Sequence, residues 1–108
     1  MYTQLTDKGY LAAGGSTVWG PISLDGISTV TLSGNLISIS GSGNVKHDLE
    51  ISYDGETWTT TSTSITQTTA PGYTTSSLAG CAAAAVRIRS TATTAAVFYT
   101  CGLSISRN

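Results

Sequence analysis

Charge is scarce in this chain: 11 of 108 residues are ionised at neutral pH, five basic and six acidic, for a formal net charge of −1. The basic residues are scattered, so no Lys/Arg surface is offered to a phosphate backbone, and nucleic acid is not an expected partner. A single histidine, His47, and two cysteines without CxxC spacing, Cys81 and Cys101, are too few to compose a zinc site. The longest apolar run, Ala82 to Val86, is far short of the roughly 20 residues that span a bilayer, so no membrane is expected either. The start, Met1-Tyr2-Thr3-Gln4, lacks the basic and apolar regions of a secretory signal, which points to a protein made in a cytoplasm. In a reducing compartment Cys81 and Cys101 read as small buried hydrophobes, although a bridge between them stays open.

What is abundant is hydroxyl and glycine: 19 Thr, 15 Ser and 12 Gly. An apolar content of 40% with eight aromatics excludes a disordered chain, and the length allows one domain. The β-branched residues Thr, Ile and Val number 32, against 18 for Leu, Met, Glu, Lys, Arg and Gln together. Summed propensity therefore favours strands. The expected fold is all-β.

Period-2 alternation places several strands. His47, Leu49, Ile51 and Tyr53 alternate with Lys46, Asp48, Glu50 and Ser52, which predicts one apolar and one wet face. Val86 and Ile88 point inward between Arg87 and Arg89. From Ala95 to Ser106 the stripe Val97, Tyr99, Cys101, Leu103 and Ile105 faces the core. Two shorter strands are expected at Ile27 to Ser33, with Val30 and Leu32 inward, and at Leu36 to Ser40, with Ile37 and Ile39 inward. Gly34-Asn35 would be the tight turn between them. A two-residue turn at Asp54-Gly55 sets Ile51 opposite Trp58, Leu49 opposite Thr60 and Ser52 opposite Thr57, which keeps Trp58 on the core face. Thr61 to Thr75, poor in apolar residues and containing Pro71-Gly72, reads as a long polar loop.

The first twenty residues hold Tyr2, Leu5, Tyr10, Leu11, Val18 and Trp19 at irregular spacing between glycines. They predict an extended N-terminal arm, residues 1–20, ahead of a sandwich domain at 21–108. Such an arm must dock, on its own domain or on a neighbour, and Tyr2, Leu5, Tyr10 and Trp19 are its candidate interface residues. Removing residues 1–15 is then expected to leave the sandwich folded.

Little here points to catalysis. His47 lies on an apolar strand face with no Gly-x-Ser-x-Gly elbow, so it reads as a core-edge histidine and not as the base of a triad. Asp48 and Glu50 share a strand face about 7 Å apart, near a glycosidase spacing, but beside Lys46 on a wet surface. Calcium at Asp48, Asp54 or Glu56 lacks the ligand spacing of known loops. Gly41-Ser42-Gly43 has no Lys-Ser or Lys-Thr after it and is no phosphate cradle. No enzyme, no cofactor, no metal and no catalytic residue is expected.

The segment Ser52-Tyr53-Asp54-Gly55-Glu56-Thr57-Trp58 resembles the Asp-box hairpin of sialidase-type propellers, short of one residue between Asp and Gly. It also resembles the Ser-x-Asp-Gly-x-x-Trp hairpin of discoidin-like jelly rolls, which carry a later strand like Val86-Arg87-Ile88-Arg89. A fuller resemblance, over residues 27 to 106, is to small β-sandwich virion proteins of tailed bacteriophages. There a strand like Ser28 to Leu32 precedes the hairpin, and a Thr-rich stretch, an Arg-x-Arg strand and a Val/Thr/Ala-rich strand follow. That resemblance makes Ser52, Asp54, Gly55 and Trp58 a structural hairpin. It implies a single antiparallel β-sandwich of jelly-roll-like type with an extended N-terminal arm, and a capsid decoration (cement) protein on the virion surface, a homotrimer whose partner is the major capsid protein. A tail or baseplate module is the alternative, as is a carbohydrate-binding β-sandwich with Tyr73, Asp54 and Glu56 at its glycan site.

Overall fold

The computed structural model describes residues 2–107, with side chains described from residue 9 onward. Eight strands follow in chain order: β1 (Tyr2–Leu11), β2 (Ser16–Ser23), β3 (Ser28–Ile39), β4 (Asn44–Ser52), β5 (Thr59–Gln67), β6 (Gly72–Cys81), β7 (Ala85–Thr93) and β8 (Val97–Arg107). They form two four-stranded antiparallel sheets, sheet A in the order β1-β8-β3-β6 and sheet B in the order β2-β7-β4-β5. Strands that follow one another in sequence mostly alternate between the sheets, and this double Greek key is a jelly roll. The fold is all-β, as composition predicts, and a β-sandwich, as the resemblance implies.

Alternation builds the core between the sheets. Val30, Leu32 and Leu36 of β3 and Val97, Tyr99, Cys101 and Leu103 of β8 face Val45, His47 and Leu49 of β4 and Val86 and Ile88 of β7, all fully or almost fully buried. The β8 stripe runs inward as expected and ends at half-buried Ile105. Cys81 and Cys101 are buried free thiols, and burial pushes the Cys101 thiol up to about 12.

Four expectations are corrected. Gly34 and Asn35 make no turn: β3 runs unbroken through them, so Leu36 is buried and Ile37 half exposed. Gly34 is there for closeness across the sandwich, since a Cβ on it would lie 2.7 Å from Ile65 Cδ1 and 2.9 Å from His47 Cδ2. The polar stretch 61–75 is mostly strand, the end of β5 and the start of β6. Thr63, Ile65 and Gln67 alternate inward, and Gln67 Nε2 donates to the Gly34 and Gly72 carbonyls at 3.1 and 3.0 Å, so the buried amide nitrogen has both its partners.

The hairpin register differs by one residue. Ile51 pairs with Thr59 and Glu50 with Thr60, because residues 53–58 form a longer loop than two residues. Tyr53 is consequently exposed, and Trp58 sits half-buried on the outer side of sheet B instead of in the core.

Residues 2–20, expected to hold no strand longer than a few residues, supply β1 and most of β2, which dock on their own domain as edge strands of the two sheets. The boundary expected between residues 20 and 21 falls inside β2. Their apolar spacing is irregular because register shifts interrupt both strands, between Gln4 and Thr6, Thr6 and Gly9, and Trp19 and Ile22. Pro21 occupies the last of these shifts in an edge strand, where a missing N–H is tolerated.

Candidate functional site

Three places hold chemically distinctive side chains: the 53–58 loop, the outer face of sheet B and the outer face of sheet A. A fourth, the core itself, holds buried polar groups.

In the loop, Asp54 Oδ1 accepts hydrogen bonds from the Thr57 and Glu56 amides at 2.7 and 2.8 Å and from the Ser52 hydroxyl at 3.0 Å. Ser52 Oγ in turn accepts the Gly55 amide at 2.8 Å, and Gly55 adopts φ +81°. The Thr57 and Glu56 amides and Ser52 hold the Asp54 carboxyl well below the usual carboxylate range. Ser52, Asp54 and Gly55 are thus the self-bonded turn that the hairpin motif implies.

Above sheet B, Glu50 is 5% exposed although it faces away from the core, a burial its place on a wet strand face did not predict. Arg87 Nε donates to it at 2.8 Å, Arg89 Nε at 3.1 Å and the Thr60 hydroxyl at 2.9 Å. Burial pushes the Glu50 carboxyl up, but the bonds from Arg87, Arg89 and Thr60 outweigh it and leave the group below its ordinary value. The Arg87 guanidinium lies 4.2 Å from the centre of the Trp58 ring. Asp48, by contrast, meets Lys46 at 3.5 Å.

Inside the sandwich, the Trp19 indole donates to the Tyr99 hydroxyl at 2.8 Å, and the Ser90 hydroxyl meets His47 Nδ1 at 2.7 Å. Trp19 of β2 and Tyr99 of β8 thus join the two sheets, and the His47 ring lies 5.2 Å from the Tyr99 ring. Trp19, expected at a partner interface, is therefore half-buried and packed against the core. The hydroxyl–imidazole pair has the atoms of a nucleophile and base, but both residues are fully buried, so no substrate reaches it. Alternation places Ser90 inward after Val86 and Ile88, and that was the sequence signal for it.

The outer face of sheet A is of another kind. Tyr10 and Phe98 are 53% and 49% exposed with ring centres 4.8 Å apart. Ile37, at the register shift between Leu36 and Ser38, and Tyr73, opposite Asn35, continue the exposed apolar side chains across β3 and β6. Four adjacent strands span about 14 Å. β3, β6 and β8 carry one charged residue among them, Arg107 at the end of β8, which meets Asp25 at 3.3 Å. Tyr10 thus keeps the exposed, aromatic character expected of it, while the side chains of Tyr2 and Leu5 lie outside the described residues.

The structure does not unite the expected glycan residues. Tyr73 lies beyond one end of β5 and Asp54 and Glu56 beyond the other, roughly 26 Å apart along the strand. Among the described residues no three His, Cys, Asp or Glu side chains come together as a metal site. Compared with known proteins, the chain matches no family model and no curated protein.

Proposed function

We propose that this chain is a non-enzymatic binding module that docks through the outer face of sheet A. Within that class we assign it as a virion structural protein of a tailed bacteriophage, of the capsid decoration type, which sits on the outer surface of the head and ties neighbouring capsid subunits together as a trimer. The observation that carries the reading is the row Tyr10, Phe98, Ile37 and Tyr73, which runs from β1, with Asp7 and Lys8, across β8, β3 and β6, strands with one charged residue among them. Exposed aromatic patches of this kind mark interfaces, and tyrosine and other aromatics anchor them. A neutral Ser/Thr surface around the row meets a broad protein surface, or an identical copy, without repulsion. Burial of Ser90 and His47 supports a non-catalytic role. The resemblance of residues 27–106 to small virion β-sandwiches supplies the head as the partner.

Quantitative mass spectrometry of purified particles, separated into heads and tails, tests this. Decoration predicts the protein in the head fraction in fixed ratio to the major capsid protein. Recovery with tails would transfer the assignment to a tail or baseplate module, and absence from both fractions would refute it.

A further inference from the structure

The two outer faces of the sandwich differ in chemistry. Where sheet A presents an aromatic row over β3, β6 and β8, which hold one charge among them, β4 and β7 of sheet B hold five charges on one surface: Lys46, Asp48, Glu50, Arg87 and Arg89. None of the strongly exposed large apolar side chains lies on β2, β4, β5 or β7. Lys46 is matched by Asp48, but Glu50 has two arginines, so the centre of the face carries one positive charge in excess.

Each arginine reaches Glu50 through Nε alone. A guanidinium offers five donors in one plane, and the terminal nitrogens of Arg87 and Arg89 have no partner among the described residues. Arg87 and Arg89 alternate with inward Ile88, so they stand on the same face about 7 Å apart. Glu50 fixes both stems and the Trp58 ring fixes the plane of Arg87, so the free edges are held before any ligand arrives. Paired guanidinium edges match a carboxylate bidentately. Around them the face offers hydroxyls, Thr60 on β5 and the Ser16–Thr91 pair at 3.3 Å between β2 and β7. A protein partner would need an apolar anchor here, whereas a sugar needs hydroxyl and amide partners.

We propose that the outer face of sheet B binds a carboxylate-bearing saccharide, its carboxylate held by the terminal nitrogens of Arg87 and Arg89 and its hydroxyls by the neighbouring Ser16–Thr91 pair. Glu50 is a positioning residue in this site. The face opposite the docking surface thereby becomes a receptor for acidic glycans.

Titration of the full chain with sodium glucuronate, followed by the arginine Nε–Hε resonances in NMR, tests the site. Glucose serves as the neutral counterpart, sulfate as a bare anion, and a Glu-rich peptide as the protein alternative. Glucuronate is expected to shift the Arg87 and Arg89 signals saturably and to bind at least about tenfold more tightly than any of the three. Arg89→Gln is expected to weaken glucuronate binding about tenfold, with partial recovery in Arg89→Lys, which restores the charge but not the fork. Because Arg89→Gln leaves buried Glu50 with one partner fewer, Thr91→Val, which does not touch the carboxylate, is the second variant, expected to weaken glucuronate with an unchanged amide spectrum. Equal binding of glucose or sulfate, tighter binding of the peptide, or wild-type affinity in folded Arg89→Gln and Thr91→Val would each overturn the proposal. None of these outcomes bears on docking through sheet A.

Discussion

Gly34 shows how closely the two sheets approach. Any side chain there meets Ile65 and His47 at under 3 Å, so Gly34→Ala must push the sheets apart or rotate the imidazole. Overpacking of this kind costs about 1–3 kcal/mol, which a urea midpoint measures. His47 itself sets the acid limit of the fold. Burial lowers it from 6.5 to about 4, so at neutral pH it is uncharged whether the chain is folded or not. Between those two values the unfolded chain takes up a proton that the folded chain refuses. Stability is therefore full above pH 6.5 and falls as pH drops toward 4, by about 2 kcal/mol from pH 7 to pH 5. Denaturation midpoints across that range should decline in the wild type and lose most of the slope in His47→Gln.

At the scale of elements, the edges of the sandwich carry most of the lessons. β1 pairs with central β8 along its length and places Leu11 in the core, so deletion of residues 2–11 uncovers Tyr99 and opens a sheet edge. The shortened chain is expected to lose cooperative unfolding by circular dichroism, contrary to the independence that sequence alone suggested. The central strands β4, β7 and β8 were legible because one face is apolar and the other wet, and Val86-Arg87-Ile88-Arg89 states the alternation outright. β1, β2 and β5 were not, because bulges break the period in the first two and the third buries Thr63 and Gln67 where the pattern expects apolar residues. Of the site, Tyr10 and the Ser52-Asp54-Gly55 turn were legible locally. The Glu50 cluster was not, since it depends on which long side chains two neighbouring strands bring over one carboxylate. In the loop, Asp54→Ala removes the acceptor for the Glu56 and Thr57 amides. Hydrogen exchange should speed up at those two amides and stay unchanged at Leu49 and Ile88.

The whole molecule is a sandwich with two unlike exteriors. In its interior the Trp19–Tyr99 and Gln67–Gly34 hydrogen bonds tie the sheets together. Sheet A presents the aromatic row, suited to a broad protein contact, and sheet B carries the ionic cluster. Tyr10 and Phe98 are about half exposed, so replacing both with serine removes apolar contact area without opening the core. The central claim is tested most directly by adding the purified chain to undecorated phage heads and counting bound copies by cryo-electron microscopy, for the wild type and for the Tyr10→Ser/Phe98→Ser double variant. Ordered wild-type copies seated by sheet A are expected, and almost none of the folded double variant. Equal occupancy by the two proteins, or copies seated by sheet B, would contradict it.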